Sequence, residues 1–485
     1  MRQNRFKKPF ILIRVLAALL GFIPVIMLFP LIMAVMSGEK TMVRAFSVPM
    51  IIVAFASTVC FISLRKKKLN LTSKDGFLLV FASWVLASFI GAIPFMLWGL
   101  GFTDSFFESA CTFATTGGTT ITDVEALPKS LLLWRSIAHW FGGIGIILVS
   151  VALLPILGVG GFQLIKAEET GPAKEKITPK VTMSAKLLLM SYSILTVTLF
   201  TLYLFGGMEW FEALCHSLTT MATGGVSIKN SGLTAYNSGF IDGVTTIFFL
   251  LAGINFSLYY RALSGKFREI ISNTEIRVYI GIFIIASLAV TGFLVPVYNS
   301  VFTAFRFASF HCASILSTAG SAVVNYELWP SSAKMILFIL MFIGGCSGST
   351  AGGIKVIRHA VLWKQMQNDM RRIIYPQGVF SIQINKRVGR KDIVYSTAGF
   401  LFMYLSVVGI VTVITAMSGI DLFSSLSAAL SITGNIGIGF GAVGPGNNYS
   451  LFADHIKWIF SFVMIAGRLE MWTVFLLFTK EYWRR

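Results

Sequence analysis

Four short stretches of small residues and glycine each close a mostly apolar, helix-like segment: Phe113-Ala-Thr-Thr-Gly-Gly118, Met221-Ala-Thr-Gly-Gly225, Leu316-Ser-Thr-Ala-Gly320 and Gly434-Asn-Ile-Gly437. Glycine and threonine at membrane depth can turn backbone carbonyls toward a water-filled axis, where the oxygens replace the hydration shell of a cation. A single such turn is better read as a glycine hinge or a small-residue packing face of the GxxxG kind. Four of them favour coordination, because one set of carbonyls cannot surround an ion whereas four offer stacked rings of oxygens.

A second constellation interrupts an otherwise apolar span: Gly344, Gly345, Cys346, Ser347, Gly348, Ser349, Thr350, Ala351, Gly352 and Gly353. Glycine costs about 1 kcal/mol against alanine in a helix, so five of them with two serines and a threonine predict unwound backbone. Unwound backbone at that depth must be buried in protein or line a cavity. It follows the third glycine turn by roughly half a bilayer, so it is expected just inside that turn, where it would act as a gate. A phosphate-cradling loop is disfavoured, since GxxxxGK[ST] spacing and a preceding strand are missing.

Arg468 falls near the middle of the last apolar span, in Met464-Ile-Ala-Gly-Arg-Leu-Glu470. A cation there costs roughly 2.5 to 3.5 kcal/mol on insertion scales, so it should face a cavity. It could donate to exposed carbonyls of the 344–353 segment, present positive charge to passing cations, or make a structural hydrogen bond between helices. Glu470, two residues on, points to another side of a helix and is not its evident partner. His139, His216 and His311 each read as solitary at its place in the repeat, a hydrogen-bonding core residue rather than a ligand. The five cysteines, Cys60, Cys111, Cys215, Cys312 and Cys346, have no CxxC pairing and read as small buried hydrophobes.

The elements that must position these residues are membrane helices. The 485-residue chain is 55% hydrophobic with a mean hydropathy of +0.77, above the roughly 45 to 50% apolar usage of soluble domains. Runs near 18 to 20 residues recur throughout. About ten spanning helices are expected, at 10–36, 47–64, 77–100, 131–158, 184–206, 239–260, 277–298, 333–360, 393–417 and 456–479. The first is read as a signal anchor, being too long for a signal-peptide core. The formal net charge of +19 is mostly split into blocks at Arg2–Lys8, Arg65–Lys68, Lys166–Lys186, Arg261–Arg277, Arg358–Lys391 and Lys480–Arg485. These blocks alternate with less basic loops and place both termini in the cytoplasm. Nucleic acid is disfavoured as a partner, and the bilayer explains the charge.

Taking Gly117, Gly224, Gly320 and Gly437 as equivalent points gives separations of 107, 96 and 117 residues (224 − 117, 320 − 224 and 437 − 320). One unit therefore recurs four times: a span, an apolar segment too short to span, a glycine turn and a second span. The short segments, near 104–114, 210–221, 301–317 and 421–433, are expected to be re-entrant helices whose carbonyl ends point at the axis. Asp104, Glu209 and Asp421 would complement their opposite ends. The expected fold is an all-α polytopic membrane protein with a helix pair at 1–70 and pore repeats at 71–165, 166–265, 266–370 and 371–485. A membrane-embedded transferase or hydrolase would want paired carboxylates, a nucleophile with its base or a metal-ligand cluster, and none is seen in the spans.

On these turns, together with LLLWRSIAHWFGGIGII (131–147) and MFIGGCSGSTAGGIKV (341–356), the chain resembles the superfamily of Trk, Ktr and HKT cation transporters. The resemblance covers nearly the whole chain. It implies four M1-P-M2, potassium-channel-like repeats around a pseudo-fourfold pore in the bacterial inner membrane. It also implies filter carbonyls from Thr115, Thr116 and Gly117, from Ala222, Thr223 and Gly224, from Thr318, Ala319 and Gly320, and from Asn435, Ile436 and Gly437. Doubled glycines leave the register open by one at Gly118 and Gly225, and the fourth turn departs from the threonine-glycine pattern. In the plant HKT branch, serine in place of the first-repeat glycine goes with sodium preference, so glycine at 117 and 118 implies K+ as the transported ion, with no organic cofactor. A homodimer is implied, with a cytosolic TrkA-like nucleotide-binding regulatory subunit whose landing surface would be the basic 358–391 loop. Uptake driven by the membrane potential and symport with H+ or Na+ both stay open.

Overall fold

The computed structural model describes residues 8–64, 73–152, 177–263, 265, 267–385, 387–388 and 391–484. Residues 1–7, 65–68 and 166–176 of the basic blocks, Lys386, and the expected junctions at 70–71 and 165–166 lie outside them. The architecture is helical. It opens with α1 (Lys8–Leu20), α2 (Ile23–Met36, with Pro24 in its first turn) and α3 (Lys40–Ser63). The expected 10–36 run is carried by α1 and α2, which turn at Gly21 and Phe22 and together make one candidate span, Leu12–Met36. Among the described residues, six helices are long and apolar enough to cross a membrane, and a seventh span is made if one bent pair counts as one.

A long helix followed by a short one then recurs. α4 (Ser73–Trp98) leads to α5 (Phe102–Phe113), followed by α6 (Lys129–Ala152). α7 (Ile177–Phe205) leads to α8 (Trp210–Met221), followed by α9 (Gly239–Ala252), α10 (Phe256–Leu263) and α11 (Phe267–Ser272). α12 (Thr274–Tyr298) leads to α13 (Val301–Leu316), then α14 (Ser331–Leu340) and α15 (Val356–Ile374). After a two-residue antiparallel pair, β1 (Gln383–Ile384) and β2 (Arg387–Val388), α16 (Lys391–Ala416) leads to α17 (Leu422–Thr433). α18 (Asp454–Arg468), α19 (Met471–Phe475) and α20 (Lys480–Trp483) complete the chain. Each short helix packs on the long helix before it.

Caps explain where several helices start. Asn273 Oδ1 accepts from Glu275 N and Ile276 N, Ser300 accepts from Thr303 N, and Asp421 accepts from Ser424 N at 2.9 Å. The other two acids also stand at their helix starts: Glu209 occupies the N-cap of α8 without a side-chain cap bond, and Asp104, in the first turn of α5, pairs with Lys457 at 2.7 Å. Three expected spans are broken, although a break was foreseen in only one. The 239–260 span stops at Ala252 and resumes at Phe256, where Asn255 Oδ1 caps Ser257 N at 2.9 Å. The 333–360 span is unwound between Leu340 and Val356, as its glycines require. The 456–479 span bends by 113° after Arg468, with Glu470 at φ +63°.

Candidate functional site

The four turns share one backbone solution. Thr115, Thr223, Thr318 and Asn435 all adopt left-handed φ, at 51°, 53°, 59° and 57°. Each left-handed residue donates three residues back: Thr115 to Thr112 O, Thr223 to Thr220 O, Thr318 to Ile315 O and Asn435 to Ile432 O. Each following residue donates five back: Thr116 to Cys111 O, Gly224 to Thr219 O, Ala319 to Ser314 O and Ile436 to Ser431 O. This is the Schellman closure of a helix, usually built on glycine. Threonine and asparagine in that conformation store of order 1 to 3 kcal/mol of strain each, which the surroundings must hold.

This common geometry resolves the open register. Thr223, Gly224 and Gly225 stand where Thr115, Thr116 and Gly117 do, so Gly225 is the equivalent of Gly117, Gly320 and Gly437. Ala222 is one residue earlier, at the C-cap of α8. Gly118 lies against the Tyr449 ring, which a Cβ there would meet at 2.8 Å.

The turns meet one another. A methyl placed on Gly117 would lie 3.0 Å from Ile436 O, 3.2 Å from Gly224 O and 3.4 Å from Ala319 O. Gly117 N also donates to Ile436 O at 3.3 Å. A Cβ on Gly225 would come within 1.8 Å of Ala319 O, one on Gly320 within 1.8 Å of Ile436 O, and one on Gly437 within 2.2 Å of Gly117 N. The second turn therefore abuts the third, the third the fourth and the fourth the first. Carbonyls from three turns converge beside the glycine of the remaining one. A cavity of about 390 Å³ lies beyond these glycines, walled by Gly117, Gly225, Gly320, Ile438, Arg135 and the loops that follow the turns. Nearby, Asn230 Nδ2 donates to Asp123 Oδ1 at 2.8 Å, ties the first two loops together and holds that carboxyl below its usual range.

The 341–355 segment packs against the opposite end of the turns. Thr350 O accepts from Thr223 Oγ1 at 3.0 Å and from Arg468 Nη1 at 2.5 Å, and Thr350 Oγ1 donates to Met221 O and Ala252 O. Gly352 N donates to Thr318 Oγ1 at 2.6 Å, while a Cβ on Gly352 would lie 2.5 Å from Gly434 O. Cys346 N donates to Gly253 O at 2.8 Å, Phe256 N to Gly348 O at 3.1 Å and Ser347 N to Glu275 Oε1 at 2.7 Å. Gly344 N returns to Ile354 O, Val356 N to Gly345 O, and Lys355 Nζ bonds Ala351 O. The unwound segment thus docks into the break of the second repeat at 253–255 and receives Arg468 from the break of the fourth. Arg468 is buried, with Nε and Nη2 unpartnered among the described residues. Glu470 pairs with Arg358, 2.5 Å away, whose guanidinium lies 3.7 Å from the centre of the Phe400 ring.

Sequence reasoning missed three parts of this arrangement. Asn255 and Glu470 mark the two unforeseen breaks, the first as a cap and the second as a left-handed residue. His216 and His311 are not solitary: both stand seven residues before the left-handed threonine of their turn. His311 Nδ1 bonds Phe307 O at 2.8 Å and its ring meets Tyr326 and Trp329, whereas His216 meets Tyr236. His139 fills the space behind Gly224. Cys111, Cys215, Cys312 and Cys346 are buried and Cys60 is partly so.

The family model TrkH, described as a cation transport protein, matches residues 43–484. The chain belongs to the TrkH family. Its relatives are named as transport proteins, so the family is one of transporters and not of enzymes. It is 36% identical over 450 residues to the Trk system potassium uptake protein TrkH of Salmonella typhimurium, covering 91% of this chain and 92% of that one. It is 34% identical to TrkH of Halomonas elongata, covering 98% and 99%. The crystal structure of the potassium transporter TrkH from Vibrio parahaemolyticus superposes with a TM-score of 0.90 at 31% identity, covering 99% of this chain and 100% of that one. TrkH-family membership places the glycine turns and the unwound segment in a Trk-system membrane protein.

Proposed function

We propose that this chain takes up potassium through a filter of backbone carbonyls, formed where four M1-P-M2 repeats meet around a pseudo-fourfold pore. The repeats run over 71–165, 166–265, 266–370 and 371–485 after the helix pair at 1–70. The observation that carries the reading is the convergence of Gly224, Ala319 and Ile436 oxygens within 3.4 Å of one point beside Gly117. Carbonyls converging at that spacing suit a dehydrated monovalent cation. Four short helices aim their carbonyl ends at the same place and add favourable negative potential. The relatives' printed names supply the identity of the ion.

The ion enters from the cavity side, which we take as the outside, because the basic segments 261–277, 358–391 and 480–484 belong to the other face. Both termini are then cytoplasmic, in a bacterial inner membrane. The 344–353 segment with Arg468 acts as the gate on the inner side of the filter. A membrane potential is worth about 2.3 kcal/mol per charge per 100 mV, enough by itself for uptake. We place the chain in a homodimer regulated by a cytosolic TrkA-like subunit docking on the basic face.

The test is reconstitution in liposomes with imposed potassium, sodium and pH gradients. Potassium-selective flux whose reversal potential follows potassium alone is the expected result. A reversal potential that shifts with pH or sodium would make the chain an H+- or Na+-coupled symporter instead, and absence of ion flux would remove the transport reading.

A further inference from the structure

We infer that the buried ion pair Glu108–Arg135 is a positioning pair that sets ion preference at the first turn; this rests on the filter reading above and deepens it. Glu108 stands seven residues before Thr115. The same place holds His216, His311 and Ala428 in the other repeats. The four turns thus have one backbone geometry but different supports.

Behind the first turn the support is ionic. Glu108 and Arg135 are each 1% exposed, with Arg135 Nη2 3.2 Å from Glu108 Oε2. Glu108 Oε1 accepts from Thr119 Oγ1 at 2.7 Å, Thr120 N at 2.6 Å and Thr120 Oγ1 at 3.3 Å. Arg135 Nη2 donates to the same Thr119 hydroxyl at 3.1 Å, and Thr119 O accepts from Tyr449 N at 2.7 Å. Thr119 and Thr120 immediately follow Gly117 and Gly118, so the limb leaving the first turn is fixed at hydroxyl, amide and carbonyl together. At the same place in the other repeats no ion pair stands among the described residues: His311 bonds Phe307 O within its own helix, His216 meets the Tyr236 ring and Ala428 offers only a methyl. The limbs leaving the third and fourth turns are held by neutral hydroxyls, Ser314 with Ser321 at 2.7 Å and Ser431 with Ile438 O at 2.9 Å. Arg135 also keeps Nε and Nη1 without a partner among the described residues while lining the cavity outside the turns.

A buried pair of this kind holds its geometry only with both members present, because a stranded charge forces its surroundings to rearrange. Here the surroundings are the carbonyls of the first turn. Removing either charge should let that limb relax and admit a wrongly sized ion, altering selectivity more than conduction.

The experiment is bi-ionic reversal-potential measurement on reconstituted full-length protein, with sodium opposed to potassium. Glu108→Gln and Arg135→Gln should each raise the sodium-to-potassium permeability ratio about threefold or more, and the double variant should be no worse than the more affected single, as expected for residues acting as a unit. A selective wild type whose folded single variants keep its ratio overturns the pair's role, whereas a wild type with no selective potassium current overturns the filter reading itself. If the single variants do not survive purification, Thr119→Val decides: it keeps both charges and removes the hydroxyl they share, which also accepts from Ile121 N at 3.1 Å. A raised ratio there sustains the proposal and an unchanged one rejects it.

Discussion

The glycine turns and the 341–355 segment are both non-helical backbone at membrane depth, and they satisfy their hydrogen bonds in opposite ways. Each turn closes on its own helix, through bonds three and five residues back that are the same in all four repeats. The segment takes many of its bonds from elsewhere: Thr223, Thr318, Gly253, Glu275 and Arg468 come from five other places in the chain. Locally closed backbone keeps its shape when neighbours move, and backbone held by borrowed partners moves when they do. This contrast fits the proposed division in which the turns filter and the segment gates. Substitutions in one should change ion preference, and substitutions in the other should change how much flux passes.

The sharpest break of this contrast is steric. Gly225→Ala and Gly320→Ala each put a methyl 1.8 Å from a neighbouring carbonyl at φ near +65° and +68°. Neither the backbone nor the oxygen can give way cheaply. Potassium flux in liposomes should fall by more than about tenfold, or selectivity should collapse. Gly353→Ala has the same sign of φ, but its nearest atom is 3.3 Å away, so flux should change while the permeability ratio holds. Equal loss of selectivity in all three would erase the distinction between turn and segment.

Arg468→Ala tests the segment directly. One charged donor, worth about 1.5 to 3 kcal/mol, joins Arg468 to Thr350 O. Its loss should raise steady flux by about tenfold with the potassium-to-sodium ratio unchanged. A folded variant with wild-type flux would exclude Arg468 as a gate element. Thr350 O also accepts from Thr223, so the experiment shows as well whether gate and filter can be separated at that shared oxygen.

Asn435→Thr sets sequence symmetry against geometry. Threonine would make the fourth turn look like the other three, yet Asn435 Nδ2 bonds Thr116 Oγ1 at 3.1 Å and Met464 O at 2.9 Å. Threonine has no amide to replace those donations and tolerates left-handed φ less well than asparagine. A roughly three- to fivefold loss of selectivity is expected, with thermal stability lowered by about 1 to 2 kcal/mol for the orphaned acceptors. Wild-type selectivity in this variant would mean that the cross-link between the first and fourth turns is dispensable.

What could be read from the residues follows the same divide. The short helices were legible to within two residues at their starts and one at their ends, because apolar length and a terminal Thr-Gly or Asn-Ile-Gly are local signals. The second-repeat register was not, since Ala-Thr-Gly-Gly fits two alignments and only the left-handed φ of Thr223 selects one. The breaks at 253–255 and 468–471 have one glycine beside each, Gly253 and Gly467, and their partners are tertiary: the segment of the third repeat bonds into the first break, and Arg468 and Glu470 of the second reach Thr350 O and Arg358. The pairing of Glu470 with Arg358 spans 112 residues and becomes visible only once the last span is bent.

The mildest test reaches the gate from outside the membrane. α15 begins where the unwound segment ends, with Val356 N on Gly345 O and Arg358 on Glu470, and it runs on to the exposed Arg371 and Arg372. In the proposed regulation, a partner that holds these arginines and moves α15 would act on residues 344–353 first, through these two contacts. The bonds that close the turns lie within their own helices, so the shift reaches the turns through the side chains of Thr223 and Thr318 that bond the segment. Arg371→Gln with Arg372→Gln should therefore weaken binding of a TrkA-like regulator by about three- to tenfold, as loss of rim charges does. Unregulated flux and the potassium-to-sodium ratio should stay at wild-type values. A changed ratio would mean that the far end of α15 couples to the turns, and the gate and filter would then be one device.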